Sequence, residues 1–71
     1  MKGKYKIIIE WSQEDNAFVV SLPDFEVMQP CTHGESYQEA LENAQDVLEL
    51  LEEVYKQEEK SLPQPTFYSD Q

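Results

Sequence analysis

The sequence predicts a single α+β domain spanning residues 1–71, with a three-stranded antiparallel sheet, one long amphipathic helix packed on one face of it and a short C-terminal fourth strand (β-β-β-α-β). Three observations predict this class. The first half of the chain holds runs rich in β-branched and aromatic residues, separated by turn-forming residues. The second half holds apolar residues at steps of three and four, which is the helical period. The length of 71 residues suits one small domain.

Three strands are predicted, at about residues 4–11, 17–22 and 26–32. In the first, KYKIIIEW, alternation places the odd-numbered residues from Tyr5 to Trp11 on one face of the sheet. The polar run SQEDN then makes the turn of a hairpin with the second strand, AFVVSL. The third, FEVMQPCT, is weaker because Pro30 cannot donate to a strand ladder, which indicates a sheet edge or a bulge.

A helix is predicted from about residue 36 to residue 58. Ser36 and Glu39 form a capping box, in which each side chain accepts from an otherwise unpaired backbone N–H. Gly34 is expected to supply the positive φ of a sharp turn between strand and helix. The apolar residues that share one side of this helix are Tyr37, Ala40, Leu41, Ala44, Val47, Leu48, Leu51, Val54 and Tyr55. After the helix, two prolines predict extended chain, and residues 65–69 are expected to form the fourth strand.

The charge balance indicates which partners this protein takes. The chain contains fifteen Asp and Glu residues, five Lys and no Arg, so its net charge is −10. Such a chain repels nucleic acid and anionic membranes, and its charge either attracts basic proteins or only keeps the protein in solution. No apolar run approaches a membrane span or a signal-peptide core, and a single cysteine cannot form an internal disulfide. A cytoplasmic location is therefore predicted.

One face of the predicted helix is acidic and is the candidate partner-binding surface. Its members, which we call the acidic stripe, recur at steps of three and four: Glu35, Glu39, Glu42, Asp46, Glu49 and Glu53. Two interpretations stay open. The stripe is either a solvated outer face or a surface that attracts a basic protein.

The stretch CTHGES contains the only cysteine and the only histidine of the chain. A structural zinc site needs four ligands, and a nucleophile with its base needs a third orienting group. We therefore expect Cys31, His33, Gly34 and Ser36 to form a structural turn, and we predict no catalytic, cofactor-binding or metal-binding residue.

Three regions of the sequence resemble the HicB-like antitoxin family. They are the Leu-Pro-Asp after the second strand, the His-Gly before the helix, and the Glu-Ala-Leu-x-Asn-Ala with which the helix starts. The resemblance covers about residues 4–68. It implies a partial ribonuclease-H-like fold without catalysis of its own, which binds and blocks a small basic mRNA-cleaving toxin, HicA. Many members also carry a C-terminal DNA-binding segment. This chain ends at Gln71 without one, so direct binding to nucleic acid is not expected.

Two alternatives to the antitoxin function stand beside it. An orphan structural or regulatory domain of the same fold needs no toxin. Because a single helix covers one side of a sheet, Ile8, Val19 and Val27 on the other side predict a homodimer or homotetramer under either interpretation. A divalent-metal nuclease is the remote alternative, with Glu10, Asp24 and Glu26 as its carboxylates.

Overall fold

The computed structural model describes residues 4–65, and these residues form an antiparallel sheet of three strands with one helix. The elements are β1 (Ile8–Ser12), β2 (Ala17–Ser21), β3 (Thr32–Gly34) and α1 (Tyr37–Gln57). The strand order is β1-β2-β3, so β2 is central and the other two are edges. The α+β class, the antiparallel sheet and the single helix are confirmed.

The β1–β2 hairpin forms where the sequence predicts it. Trp11 lies opposite Phe18 in the antiparallel register. In the turn, the Ser12 hydroxyl donates to the Asp15 carboxylate at 3.0 Å and accepts from the Asp15 backbone N–H at 3.2 Å. Asn16 has φ of 53°, a left-handed conformation that Asn adopts more readily than most residues. Local side-chain chemistry therefore closes this turn.

The predicted third strand at about 26–32 is wrong, because only its last residue is in a strand. β3 begins at Thr32, and residues 22–31 form a loop. The Gln29 side chain accepts from the Leu22 N–H at 2.9 Å, and its amide donates to the Leu22 carbonyl at 2.8 Å and to the Phe25 carbonyl at 3.3 Å. These bonds satisfy backbone groups that a neighbouring strand otherwise pairs with, so the segment closes on itself. The first strand is also shorter than predicted, since Lys6 donates its N–H to the Asp24 carboxylate at 3.3 Å.

Helix α1 matches its predicted limits to within one residue at each end. Ser36 is the N-cap, and its hydroxyl accepts from the Glu39 N–H at 3.0 Å. The Glu39 carboxylate in turn accepts from the Glu35 N–H. The helix ends at the C-cap Glu58, and Glu59 follows with φ of 56°. The predicted capping pair is therefore present, with its carboxylate one residue further back than the usual pattern.

The centre of the core is a close contact between the sheet and the first half of α1. Val20, Ala40 and Ala44 are fully buried there. A Cβ on Gly34 would lie 2.7 Å from the Ala40 Cα, closer than real Cβ atoms come. The φ of Gly34 lies outside the left-handed region, so the expected positive φ is wrong. Gly34 is required because the helix backbone approaches β3 too closely for a side chain.

A second buried cluster lies near the second half of α1. Phe25 is 3% exposed and Leu22 is fully buried. The Phe25 ring lies 4.8 Å from the Tyr5 ring and 5.8 Å from the Tyr55 ring, centroid to centroid. The Tyr5 hydroxyl donates to the Pro63 carbonyl at 2.8 Å. The ring contacts therefore join the segment before β1, the 22–31 loop and the helix, and the Tyr5 hydrogen bond adds the segment that follows the helix.

The chain after α1 carries no strand up to residue 65. The predicted fourth strand at about 65–69 lies, from residue 66 onwards, outside the described residues. Within residues 4–65 the sheet has three strands.

Candidate functional site

The acidic stripe is exposed along its whole length. All six of its carboxylate residues are solvent-exposed, and five of them follow one face of α1. Ala40 and Ala44, at the centre of the opposite face, are buried. The regular helix therefore presents the stripe on a rigid frame directed away from the sheet.

Few groups within residues 4–65 offset the charge of the stripe. The ion pair found there joins Lys60 to Glu58 at 3.2 Å and involves no stripe residue. Glu39 caps the helix, and Glu42 accepts from the Gln38 amide at 3.4 Å. Two carboxylates at i,i+4 spacing destabilise a helix by about 0.2–0.5 kcal/mol per pair. Glu49 and Glu53 therefore lie where helix stability alone does not favour them.

Cys31 directly precedes β3 and His33 lies in the middle of this strand, two residues apart. The Cys31 N–H donates to the Val20 carbonyl at 2.9 Å, and its Sγ lies 3.7 Å from the same oxygen. Burial raises the pKa of the Cys31 thiol, against the lowering effect of backbone hydrogen bonds. The His33 side chain is exposed, and its backbone carbonyl accepts from the Asn43 Nδ2 at 2.7 Å.

Asn43 is the residue of this corner that sequence reasoning missed. Its amide joins the helix to β3 through the His33 carbonyl. The signal in the sequence was a polar residue placed directly before Ala44, and the structure shows that this residue is half-buried.

The carboxylates of the nuclease alternative lie on β1 and in the 22–31 loop. Glu10 is exposed on β1, Glu26 is exposed in the 22–31 loop, and Asp24 accepts from the Lys6 N–H. Among the described residues, no three His, Cys, Asp or Glu side chains are grouped so that they could hold a metal ion.

The sheet face away from α1 carries two half-buried aliphatic residues. Ile7 and Ile9 pack towards the core, so Ile8 projects to the other face. Val19 shares that face and lies between Glu10 and His33 in the register. Val27, which we had expected beside them, lies in the loop. The oligomeric state stays a prediction.

An exposed aromatic cluster lies at the N-terminal end of α1. Phe18 lies 5.1 Å from Trp11 and 4.3 Å from Tyr37, centroid to centroid. Trp11 is 50% exposed and Tyr37 is 66% exposed. Alternation places Trp11 on the same face of the sheet as Ile7 and Ile9, yet half of its surface stays in solvent.

Comparison with known proteins adds no relative. No protein-family model matches the chain, and no curated protein or solved structure matches it. The resemblance to HicB-like antitoxins therefore rests on the sequence motifs alone. Within residues 4–65, no helix combines the length and the apolar character needed to cross a membrane.

Proposed function

We propose that this chain is an antitoxin-like binding module that neutralises a small basic HicA-type ribonuclease by protein–protein contact. The observation that carries the proposal is the acidic stripe: six exposed carboxylate residues, five of them on one face of α1, in a chain with a net charge of −10. The motif resemblance supplies the class of partner. The module works without a cofactor, in the cytoplasm, and as a homo-oligomer.

Electrostatics explain how such a surface stops a ribonuclease. A protein that binds RNA needs Lys and Arg side chains to neutralise phosphates. Stripe neighbours are about 5–6 Å apart between Cβ atoms, so the helix offers a regular line of negative charge to those same cations. Complementary charge raises the association rate and the specificity, and occupation of the RNA-binding surface excludes the substrate.

The first test is capture of the tagged protein from its native host at low and at high salt, with the intact mass of each companion measured. We expect a small basic companion in a fixed ratio that dissociates at high salt. Self-oligomers alone at both salt concentrations would contradict the proposal and favour the orphan domain.

The second test assigns the contact to the stripe. Glu42→Lys combined with Glu49→Lys should weaken binding of the purified companion at low salt at least about tenfold and restore its cleavage of mRNA. Glu14→Lys combined with Glu26→Lys is the matched control, since both residues are exposed, lie off the helix, and give the same change in net charge. Equal affinity of the two variants would show that only total charge matters.

A further inference from the structure

A groove of about 800 Å³ runs between α1 and the segment that leads into β1. Its apolar lining comes from Tyr5 and Ile7 on one wall and from Leu41 and Leu48 on the other. Leu41 is 42% exposed, and the other three side chains are half-buried. The helix wall of the groove runs from Leu41 to Lys56, about 22 Å at a rise of 1.5 Å per residue, which is the span of about six residues of an extended chain.

The groove lies on the β1 side of the sheet, where Tyr5 and Ile7 directly precede β1. β1 pairs with β2 on one side, and no other strand within residues 4–65 pairs with its outer edge. The helix packs mainly against β3 and least against β1. Leu41 and Leu48, on the apolar side of α1, therefore line the groove beside the segment that leads into β1. An open edge with an adjacent apolar channel suits an added strand.

The charge around the groove indicates which chain fits. Glu49, Glu52 and Glu53 line the helix wall, against Lys4 and Lys56. Within the described residues, none of these five forms an ion pair within 4 Å.

The Tyr5 hydroxyl is sensitive to the same negative field. Its pKa is raised by burial first, and then by the charges of Glu52, Asp24 and Tyr55. The groove therefore joins an apolar floor to a rim with an excess of negative charge.

We infer that this groove receives an extended basic segment of the partner protein. The backbone of that segment adds to the open edge of β1, its apolar side chains enter beside Leu41 and Ile7, and its Lys or Arg side chains reach the three glutamates. This inference rests on the proposed function and deepens it, because it places the partner at the β1 edge as well as along the stripe. A second copy of this chain fits the groove less well, because the negatively charged rims of two chains, each with a net charge of −10, would repel each other.

A defined peptide tests the groove without any toxin. We would titrate the full-length ¹⁵N-labelled protein at low salt with a synthetic ten-residue peptide of alternating Lys and Val. We expect saturable amide shifts at Ile7, Leu41 and Glu52, and no such shifts with the corresponding Glu–Val peptide.

Two exposed leucines on the same helix provide the variant and its control. Leu41→Lys introduces a like charge into the groove and should weaken peptide binding at least about tenfold. Leu50→Lys makes the same change at a residue that is 62% exposed and lies outside the groove, and it should change affinity less than about twofold.

Several outcomes would overturn the inference. Equal binding by Leu41→Lys and Leu50→Lys would show diffuse attraction to the acidic helix. Groove shifts that depend on protein concentration without peptide would assign the groove to a second copy. Nuclear Overhauser contacts from Phe67 or Tyr68 to Leu41 in the free protein would assign it to the chain's own end.

Failure of the inference can be separated from failure of the proposed function. A toxin that is neutralised equally by Leu41→Lys and by the unaltered protein would reject the groove and retain the antitoxin. A peptide that binds in the groove of a protein with no basic companion in its host would retain the groove and reject the antitoxin.

Discussion

The two halves of α1 are held in different ways. The first half approaches the sheet through residues with little or no side chain, Gly34 in β3 and Ala40 and Ala44 in the helix. The second half makes contact through rings, with Tyr55 at 5.8 Å from Phe25. The backbones of β3 and α1 are almost in contact at the first half of the helix, whereas aromatic rings separate the helix from the 22–31 loop at the second half.

This difference shows how one helix can be fixed on the sheet and still leave part of its apolar side open to a partner. Close backbone contact tolerates no added atom, so it determines the position and angle of the helix. Ring contacts leave more space between the elements, and the groove follows the helix from Leu41 in the first half to Lys56 in the second. The first half is thus expected to resist change in side-chain volume, and the second half to depend on large rings and on the loop that holds them.

The largest expected effect is at the ring end. Phe25→Ala removes the ring that contacts both Tyr5 and Tyr55, and it should lower the free energy of unfolding by about 4 kcal/mol. Phe25→Leu keeps most of the volume and should cost about 1 kcal/mol. Urea unfolding followed by far-UV circular dichroism measures both. If the alanine variant loses no more than the leucine variant, the rings do not hold the second half.

The next effect is at the close-contact end. Gly34→Ala places a methyl group against the Ala40 backbone, so the helix must move, at a cost of about 2–3 kcal/mol. Glu35→Ala, at the neighbouring exposed residue, should change stability by less than about 0.5 kcal/mol. Chemical denaturation of the two variants gives the comparison. A neutral Gly34→Ala would mean that strand and helix are further apart than the structure has them.

A smaller effect tests the loop that carries Phe25. Gln29→Ala leaves the N–H and the carbonyl of buried Leu22 without their side-chain partner, at a cost of about 2 kcal/mol. Gln13→Ala, in the exposed hairpin turn, is the control and should be nearly neutral. Hydrogen exchange of the Leu22 amide should accelerate in the first variant alone. Unchanged protection there would show that the loop is held by other contacts.

The smallest effect depends on pH. Tyr5→Phe removes the hydrogen bond to Pro63 and should cost about 1 kcal/mol at pH 7. Folding raises the pKa of this hydroxyl above its ordinary value of 10.0. The neutral hydroxyl therefore makes its full contribution to the free energy of unfolding below pH 10, and that contribution is lost as the pH rises through the folded-state pKa.

The stability difference between the unaltered protein and Tyr5→Phe should therefore shrink above pH 10. Denaturant titrations at several pH values would measure it. Tyr37→Phe, which removes a hydroxyl from an exposed residue, should be nearly neutral at pH 7. A difference that stays constant to high pH would contradict burial of the Tyr5 hydroxyl.

The sequence predicted most of the local structure. The hairpin, the alternation of β1 and the limits of α1 follow from signals within a few residues: a polar turn, a period of two, a serine cap and a period of three to four. The acidic stripe was readable for the same reason, because helical geometry places its members on one face wherever the helix packs.

The failures share one physical cause. Whether FEVMQPCT pairs as a strand depends on where the Gln29 amide finds partners, and Leu22 provides them. The role of Gly34 depends on how closely the helix approaches the strand, which periodicity does not encode. The groove could not be predicted because it depends on where α1 passes the segment that leads into β1, which periodicity does not encode.

By itself, then, the sequence determined the hairpin, the helix, the faces of both and the excess of negative charge, because each follows from the local chain and from composition. The tertiary structure alone decided how closely α1 approaches β3, that the 22–31 segment folds back on Gln29, and that an apolar channel lies open beside β1. These depend on distances between residues far apart in the chain, which packing sets and local patterns do not contain.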